Sequence, residues 1–87
     1  MYNIFLTSAA VRNLDKIPRD EQKKIARVLE TKFKPDPFSH TLDIKKLEKP
    51  EIGYRLRVGD YRVSYTIDTG KRIVTIYRIK HRKDAYR

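Results

Sequence analysis

Apolar residues recur at helical spacing in the first half of this chain and alternate in the second half. Tyr2-Asn3-Ile4-Phe5-Leu6 reads as a short strand, and Thr7-Ser8 then supplies N-cap oxygens. Ala10, Leu14 and Ile17 follow at i, i+4 and i+7, with Val11 beside them and Arg12, Asp15 and Lys16 on the other side. That pattern predicts one amphipathic helix, closed by Pro18. A second helix starts near Arg19-Asp20-Glu21, where acidic groups suit the N-terminal dipole. Ile25, Val28, Leu29 and Phe33 make its buried stripe, and Pro35 stops it. Two short helices joined by a proline, each apolar on one side, predict a helical hairpin lying on a sheet.

After the irregular, proline-containing loop 35–40, the period shifts to two. Ile44 to Leu47 suits a short strand, followed by a loop over 48–53. Tyr54-Arg55-Leu56-Arg57-Val58 alternates strictly, Gly59-Asp60 interrupts, and Tyr61 to Ile67 alternates again. Asp68-Thr69-Gly70-Lys71 is a turn, and Arg72 to Lys80 is a further strand. A two-residue loop led by Gly is a favoured hairpin connection of type II′. It places Val58 opposite Tyr61, Arg57 opposite Arg62, Leu56 opposite Val63 and Arg55 opposite Ser64. Tyr54, Leu56, Val58, Tyr61, Val63, Tyr65 and Ile67 then share the face toward the helices, and Arg55, Arg57, Arg62 and Ser64 share the other.

The last strand admits two registers. If Ile67 pairs with Ile73, then Thr75, Tyr77 and Ile79 face the helices, and Val74, Ile76, Arg78 and Lys80 join the arginine face. A loop one residue shorter swaps the two sets. The first register leaves Val74 and Ile76 as an uncovered apolar pair, a surface for a partner.

Charge sharpens this picture. The 87 residues carry 21 Lys+Arg against 11 Asp+Glu, a net charge of +10, and pattern and length predict one domain over residues 1–87. Residues 1–43 contribute +2 and residues 44–87 contribute +8. A polyanion such as nucleic acid is the expected ligand, bound by the second half. Directly opposed arginines destabilise a sheet by about 0.2–1 kcal/mol. Nothing in folding requires the Arg57–Arg62 pair, whereas a phosphate between the two planar forks would turn repulsion into a clamp. The alternative is that the arginine stems lie along the sheet with their heads in water. There is no Cys, which excludes disulfides, thiolate metal sites and Cys nucleophiles. The longest apolar run is three residues, no basic–apolar leader opens the chain, and a cytoplasmic protein is expected.

The catalytic inventory is short. His40 sits in the proline-containing loop without an evident partner. His81 lies among Lys80, Arg82 and Lys83, cations that favour a neutral ring suited to a base; a solvated strand-end histidine is the plain alternative. Two distant histidines do not make a metal site, and no phosphate loop or nucleophile elbow is present, so neither a metal nor a cofactor is expected. Arg, Lys, Tyr and His suit phosphodiester cleavage in RNA, where the 2′-hydroxyl is the nucleophile and the protein positions it and stabilises charge.

Gly53-Tyr54-Arg55-Leu56-Arg57-Val58-Gly59-Asp60-Tyr61-Arg62-Val63-Ser64-Tyr65, with the ending His81-Arg82-Lys83-Asp84-Ala85-Tyr86-Arg87, resembles the RelE/ParE superfamily of type II toxin–antitoxin toxins, RelE branch. The resemblance implies an α+β fold of the RelE-like microbial RNase type. An N-terminal strand and a helical hairpin would pack on one face of a small, twisted, mainly antiparallel sheet. It implies a ribosome-dependent mRNA interferase that cleaves mRNA in the ribosomal A site, leaves a 2′,3′-cyclic phosphate and inhibits translation. It also implies an acidic cognate antitoxin encoded nearby, with operator DNA reached only through the toxin–antitoxin complex.

Residue by residue, the resemblance assigns Arg55 and Arg57 to two basic positions, often Lys in the family, that contact the reacting ribose and phosphate. It assigns Arg62 to transition-state stabilisation and Tyr86 to stacking. A further basic position falls to Lys80 or Arg82, and His81 stands where some relatives carry His. Arg78, Lys80 and Lys83 would add phosphate contacts, and Val74 and Ile76 would meet the antitoxin. Arginine at 55 and 57 hardly ever deprotonates, which leaves His81, Tyr86 or water for the proton. Two other readings stay open: a ParE-like gyrase inhibitor without chemistry, and a plain nucleic-acid-binding domain. The sheet face predicted from the alternation lacks the aromatic platform such single-strand RNA binders use.

Overall fold

The computed structural model describes residues 1–49 and 51–83. Their order is β1 (Asn3–Leu6), α1 (Ser8–Asp15), α2 (Arg19–Val28) continued by a π-helical turn (Leu29–Phe33), β2 (Asp43–Lys46), β3 (Tyr54–Val58), β4 (Tyr61–Asp68) and β5 (Ile73–His81). The five strands form one sheet in the order β1-β5-β4-β3-β2. β1 runs parallel to β5, and all other neighbours are antiparallel. This is the expected α+β architecture, with β2 one residue earlier than its sequence pattern suggests.

Local chemistry sets the helices. The Thr7 hydroxyl caps α1 by accepting from the Ala10 amide at 3.2 Å. Asp20 and Glu21 fall in the first turn of α2. The apolar spacing 25, 29, 33 is a repeat of four, which drifts by about 40° per step in α geometry. The wider turn, with Lys34 N–H bonded to Leu29 C=O at 2.8 Å, keeps Phe33 fully buried with Ile25 and Leu29. An aromatic chain continues from there: Phe33 meets Tyr65 edge-on at 4.9 Å, and Tyr65 stacks on Tyr54 at 5.8 Å.

The β3–β4 hairpin has the register read from the sequence, including Arg57 opposite Arg62. Gly59 has φ +58°, as the first central residue of a type II′ turn requires. Gly53, at φ +80°, is held differently: a Cβ there would lie 2.1 Å from the Tyr65 carbonyl oxygen, so the loop into β3 depends on glycine.

β5 departs from both expected registers. Its first part pairs Ile67 with Val74 and Tyr65 with Ile76; its second part pairs Ser64 with Arg78, Val63 with Ile79 and Arg62 with Lys80. The register shift between Ser64 and Tyr65 leaves Tyr77 as an extra, bulged residue. Val74 and Ile76 are therefore fully buried against the helices, and their assignment to an exposed antitoxin-binding surface is overturned. After the bulge the phase is reversed: Ile79 is buried, while Arg78 and Lys80 lie on the open face.

Candidate functional site

The open face of the sheet is built by cross-strand rows. One row runs Asp43, Arg57, Arg62, Lys80 across β2, β3, β4 and β5, and the next runs Lys45, Arg55, Ser64, Arg78. Residues opposite one another in a ladder share a face, so three cations stand side by side in the first row and three more flank Ser64 in the second. Asp43, opposite Arg57, is the row's one acid; it went unnoticed in the sequence because β2 has no strict alternation.

The chain returns to this face after β5. Arg82 N–H donates to the Asp60 carbonyl at 2.7 Å, and its Nε lies 3.7 Å from the Asp60 carboxylate. This pins the strand end to the β3–β4 turn. Arg57, Arg62, Arg82 and Lys83 then line one cavity of about 320 Å³. Arg57 Nε also approaches the Gly59 carbonyl at 3.4 Å. Of the two candidates for the last basic position, Arg82 lines the cavity and Lys80 is the cross-strand partner of Arg62. Four guanidinium or ammonium groups around one opening suit a polyanion, since such groups donate hydrogen bonds and accept none.

His81 is not among them. It pairs with Tyr61, and the two rings meet edge-on at 5.2 Å on the helix side of the sheet. Its Nδ1 accepts the Lys83 backbone N–H at 3.2 Å, so in the neutral ring Nε2 carries the proton and the basic nitrogen is engaged. The sequence order placed His81 beside the arginines; the alternation of the strand puts it on the other face. His40 is exposed in the loop between α2 and β2. Tyr86 lies outside the described residues.

Two aromatics do occupy the open side, contrary to the expectation of none. Phe5 is 56% exposed on β1, in the row of Thr66 and Thr75. Tyr77, turned onto this side by the bulge, crosses β4 and donates its hydroxyl to the Ile52 carbonyl at 2.5 Å. The Arg78 guanidinium lies 6.0 Å from the Tyr77 ring centre. Sequence reasoning missed both because a bulge and a parallel edge strand are not written in period-two patterns.

The family model described as the ParE toxin of the type II toxin–antitoxin system parDE matches residues 4–86. The chain belongs to the RelE/ParE family of type II toxins. Toxin RelE of Mycobacterium tuberculosis is 35% identical over 89 residues, covering 99% of this chain and 87% of the relative. The RelB–RelE antitoxin–toxin complex of Methanococcus jannaschii superposes with a TM-score of 0.75 at 27% identity over 94% of each chain. The isolated Escherichia coli RelE toxin has the same fold, with a TM-score of 0.75 at 15% identity, covering 99% of this chain and 96% of that one. Among the described residues no helix is long and apolar enough to cross a membrane.

Proposed function

We propose that this RelE-family toxin is a ribosome-dependent mRNA endonuclease acting by 2′-hydroxyl attack. The observation that carries the reading is the Arg57–Arg62–Lys80 row, whose two arginines are joined by Arg82 and Lys83 around one cavity. The O2′–P bond forms as the P–O5′ bond breaks, giving a 2′,3′-cyclic phosphate and a 5′-hydroxyl. Negative charge gathers on the phosphorane oxygens, where fixed guanidinium donors are strongest relative to the ground state. Arg57, Arg62 and Arg82 fill that role, and Arg55 orients the ribose from the next row. The 2′ proton goes to water or to Tyr86, and the O5′ atom gains one from the same set. His81 serves less well, because it faces away with its basic nitrogen engaged. An open sheet face holds a flexible strand poorly by itself, and alignment is worth several kcal/mol. The ribosomal A site supplies it.

The solved RelB–RelE complexes support a cognate antitoxin as the second partner. Acidic residues in that antitoxin match the net charge of +10. Operator DNA is reached through the complex of the two.

Primer extension on an mRNA translated in vitro with added protein tests this. Cuts within codons at the A site, absent on naked RNA, are expected; an intact message on translating ribosomes would refute the reading. The match to a ParE family model favours one alternative, a gyrase inhibitor. It prevails if gyrase supercoiling stalls while mRNA stays whole.

A further inference from the structure

A second cavity, of about 450 Å³, opens on the helix side where the end of α1 meets the β4–β5 ladder. We propose that it takes one unpaired RNA base, next to a phosphate held on the arginine face. The inference rests on the RNA reading above and adds a subsite to it.

The volume lies within the range of small-ligand pockets, about 300–1,000 Å³. Its walls combine aliphatic and aromatic surface, from Ile17 and Ile79 on one hand and the edge-on Tyr61–His81 pair on the other. Such walls suit a flat, weakly hydrated ring. The polar groups left over are hydrogen donors. Asn13 uses its Oδ1 to accept the Ile79 backbone N–H at 3.1 Å, which leaves the amide NH2 for a ligand. His81 uses Nδ1 to accept from Lys83, which leaves Nε2–H. Lys16 adds an ammonium at the rim. Every nucleobase offers ring-nitrogen or carbonyl acceptors to such a set.

Charge decides which end of a nucleotide goes in. Glu21 and Asp60 stand close enough to the Tyr61 phenol to hold its pKa up, second to the effect of burial. Those carboxylates lie outside the lining, and their charge opposes a phosphate deep in the cavity. The phosphate instead has Arg82 and Lys83. Lys80 and His81 line one cavity, and the next two residues line the other. A strand crossing this segment presents a base to one side and its phosphate to the other.

The test is a nuclear magnetic resonance titration of the free protein with the four nucleoside 5′-monophosphates and, separately, inorganic phosphate. At least one nucleotide should shift Asn13, Lys16, Tyr61 and His81, while phosphate shifts only the arginine-face group of Arg57, Arg62, Arg82 and Lys83. Lys16→Glu, at an exposed position, should weaken the nucleotide response at this cavity about tenfold with an unchanged melting temperature. Nucleotide shifts confined to the arginine face, or a cavity indifferent to Lys16→Glu, would overturn the proposal. Ribosome assays identify the source of the base. An altered ranking of cleaved codons in Lys16→Glu points to mRNA, and uniformly weaker ribosome binding with the ranking kept points to ribosomal RNA. If both are unchanged, the subsite is refuted. If nucleotides fill the cavity while the parent cuts no message, the cleavage reading fails and the subsite stands.

Discussion

The two faces of the one sheet differ in what their residues are for. Toward the helices, Leu56, Val63, Tyr65, Val74 and Ile76 are fully buried, and each removes apolar area from water. Toward solvent, Arg57, Arg62 and Lys80 stand in one row, an arrangement that lowers sheet stability. The same strands therefore carry stability on one side and charge on the other. β5 changes between these programmes part-way along, at Tyr77. Damage to folding and damage to function should thus separate by face, and four substitutions test how cleanly.

Arg62→Ala has the largest expected effect on activity. Loss of one fixed donor to a transition-state oxyanion costs about 10²–10³ in rate, roughly 3–4 kcal/mol. Melting temperature should move little, within about 1 kcal/mol of stability, because the group is half-exposed on the open row. Ribosome affinity should also hold, since one phosphate contact is a small share of the attraction of a +10 protein. Cleavage at the parent rate on programmed ribosomes would remove Arg62 from the site.

Ile76→Ala is the counterpart across the sheet. Ile76 is fully buried, and truncation leaves a cavity worth about 3 kcal/mol. For a chain of this size that lowers the melting temperature by roughly 15 °C. Cleavage per folded molecule should not change. A selective loss of antitoxin binding with stability intact would instead restore the surface role that burial denies to Ile76.

The contrast between β3–β4 and β5 shows what sequence pattern can carry. The hairpin was legible because Gly59-Asp60 fixes the loop length, and alternation then assigns every side chain to a face. The Arg57–Arg62 opposition followed without any tertiary information. β5 has no such anchor. Its turn runs through Arg72 at φ +55°, and its bulge changes phase inside the strand, so neither register was found and each expected assignment of faces held for one half only. Val74 and Ile76 followed one phase, and Arg78 and Lys80 the other. One signal was present: Val74, Ile76 and Ile79 are apolar at spacings of two and three, and a step of three in a strand marks an extra residue. His81 was misplaced for a simpler reason, that neighbours in sequence point to opposite faces of a strand. The Arg82–Asp60 link was illegible because it joins a strand end to a turn, where no periodicity applies.

Tyr65→Phe probes the buried face in the opposite direction. Among the described residues no partner is found for the buried Tyr65 hydroxyl. Removing it should raise stability by about 1–2 kcal/mol, since an unsatisfied buried polar group is a cost. Burial, and secondarily the nearby Tyr54 phenol, push the Tyr65 pKa well above its ordinary value of 10.0. Below that pH both states hold the proton and the group contributes no slope. Above it the unfolded chain releases the proton while the folded chain keeps it. Stability therefore falls as pH rises beyond about 10, until the folded state titrates as well. Tyr65→Phe should flatten that alkaline loss, leaving the smaller slope from Tyr61, also raised by burial and then by Glu21 and Asp60. Thermal melts at neutral pH and above pH 10 check both parts; a lower melting temperature at neutral pH would show that the hydroxyl has a partner in solution.

The smallest effect belongs to the residue where the two programmes meet. Tyr77 is the bulge, and its hydroxyl ties β5 to the Ile52 carbonyl across β4. Ile52 precedes Gly53, whose close approach to Tyr65 sets where β3 begins and so where Arg55 and Arg57 stand. Tyr77→Phe keeps the ring beneath Arg78 and removes only the bond. The Ile52 carbonyl then turns to water, so the net cost is about 0.5–1 kcal/mol, a few degrees of melting temperature. Cleavage should fall by no more than the few-fold factor that so small an energy permits. A loss matching that of Arg62→Ala would mean that the phenol itself touches the reacting strand, and the open face would then work by aromatic contact as well as by charge. A variant indistinguishable from the parent in both measurements would mean that the bulge alone, through backbone pairing, aims Arg78 and Lys80 at the site.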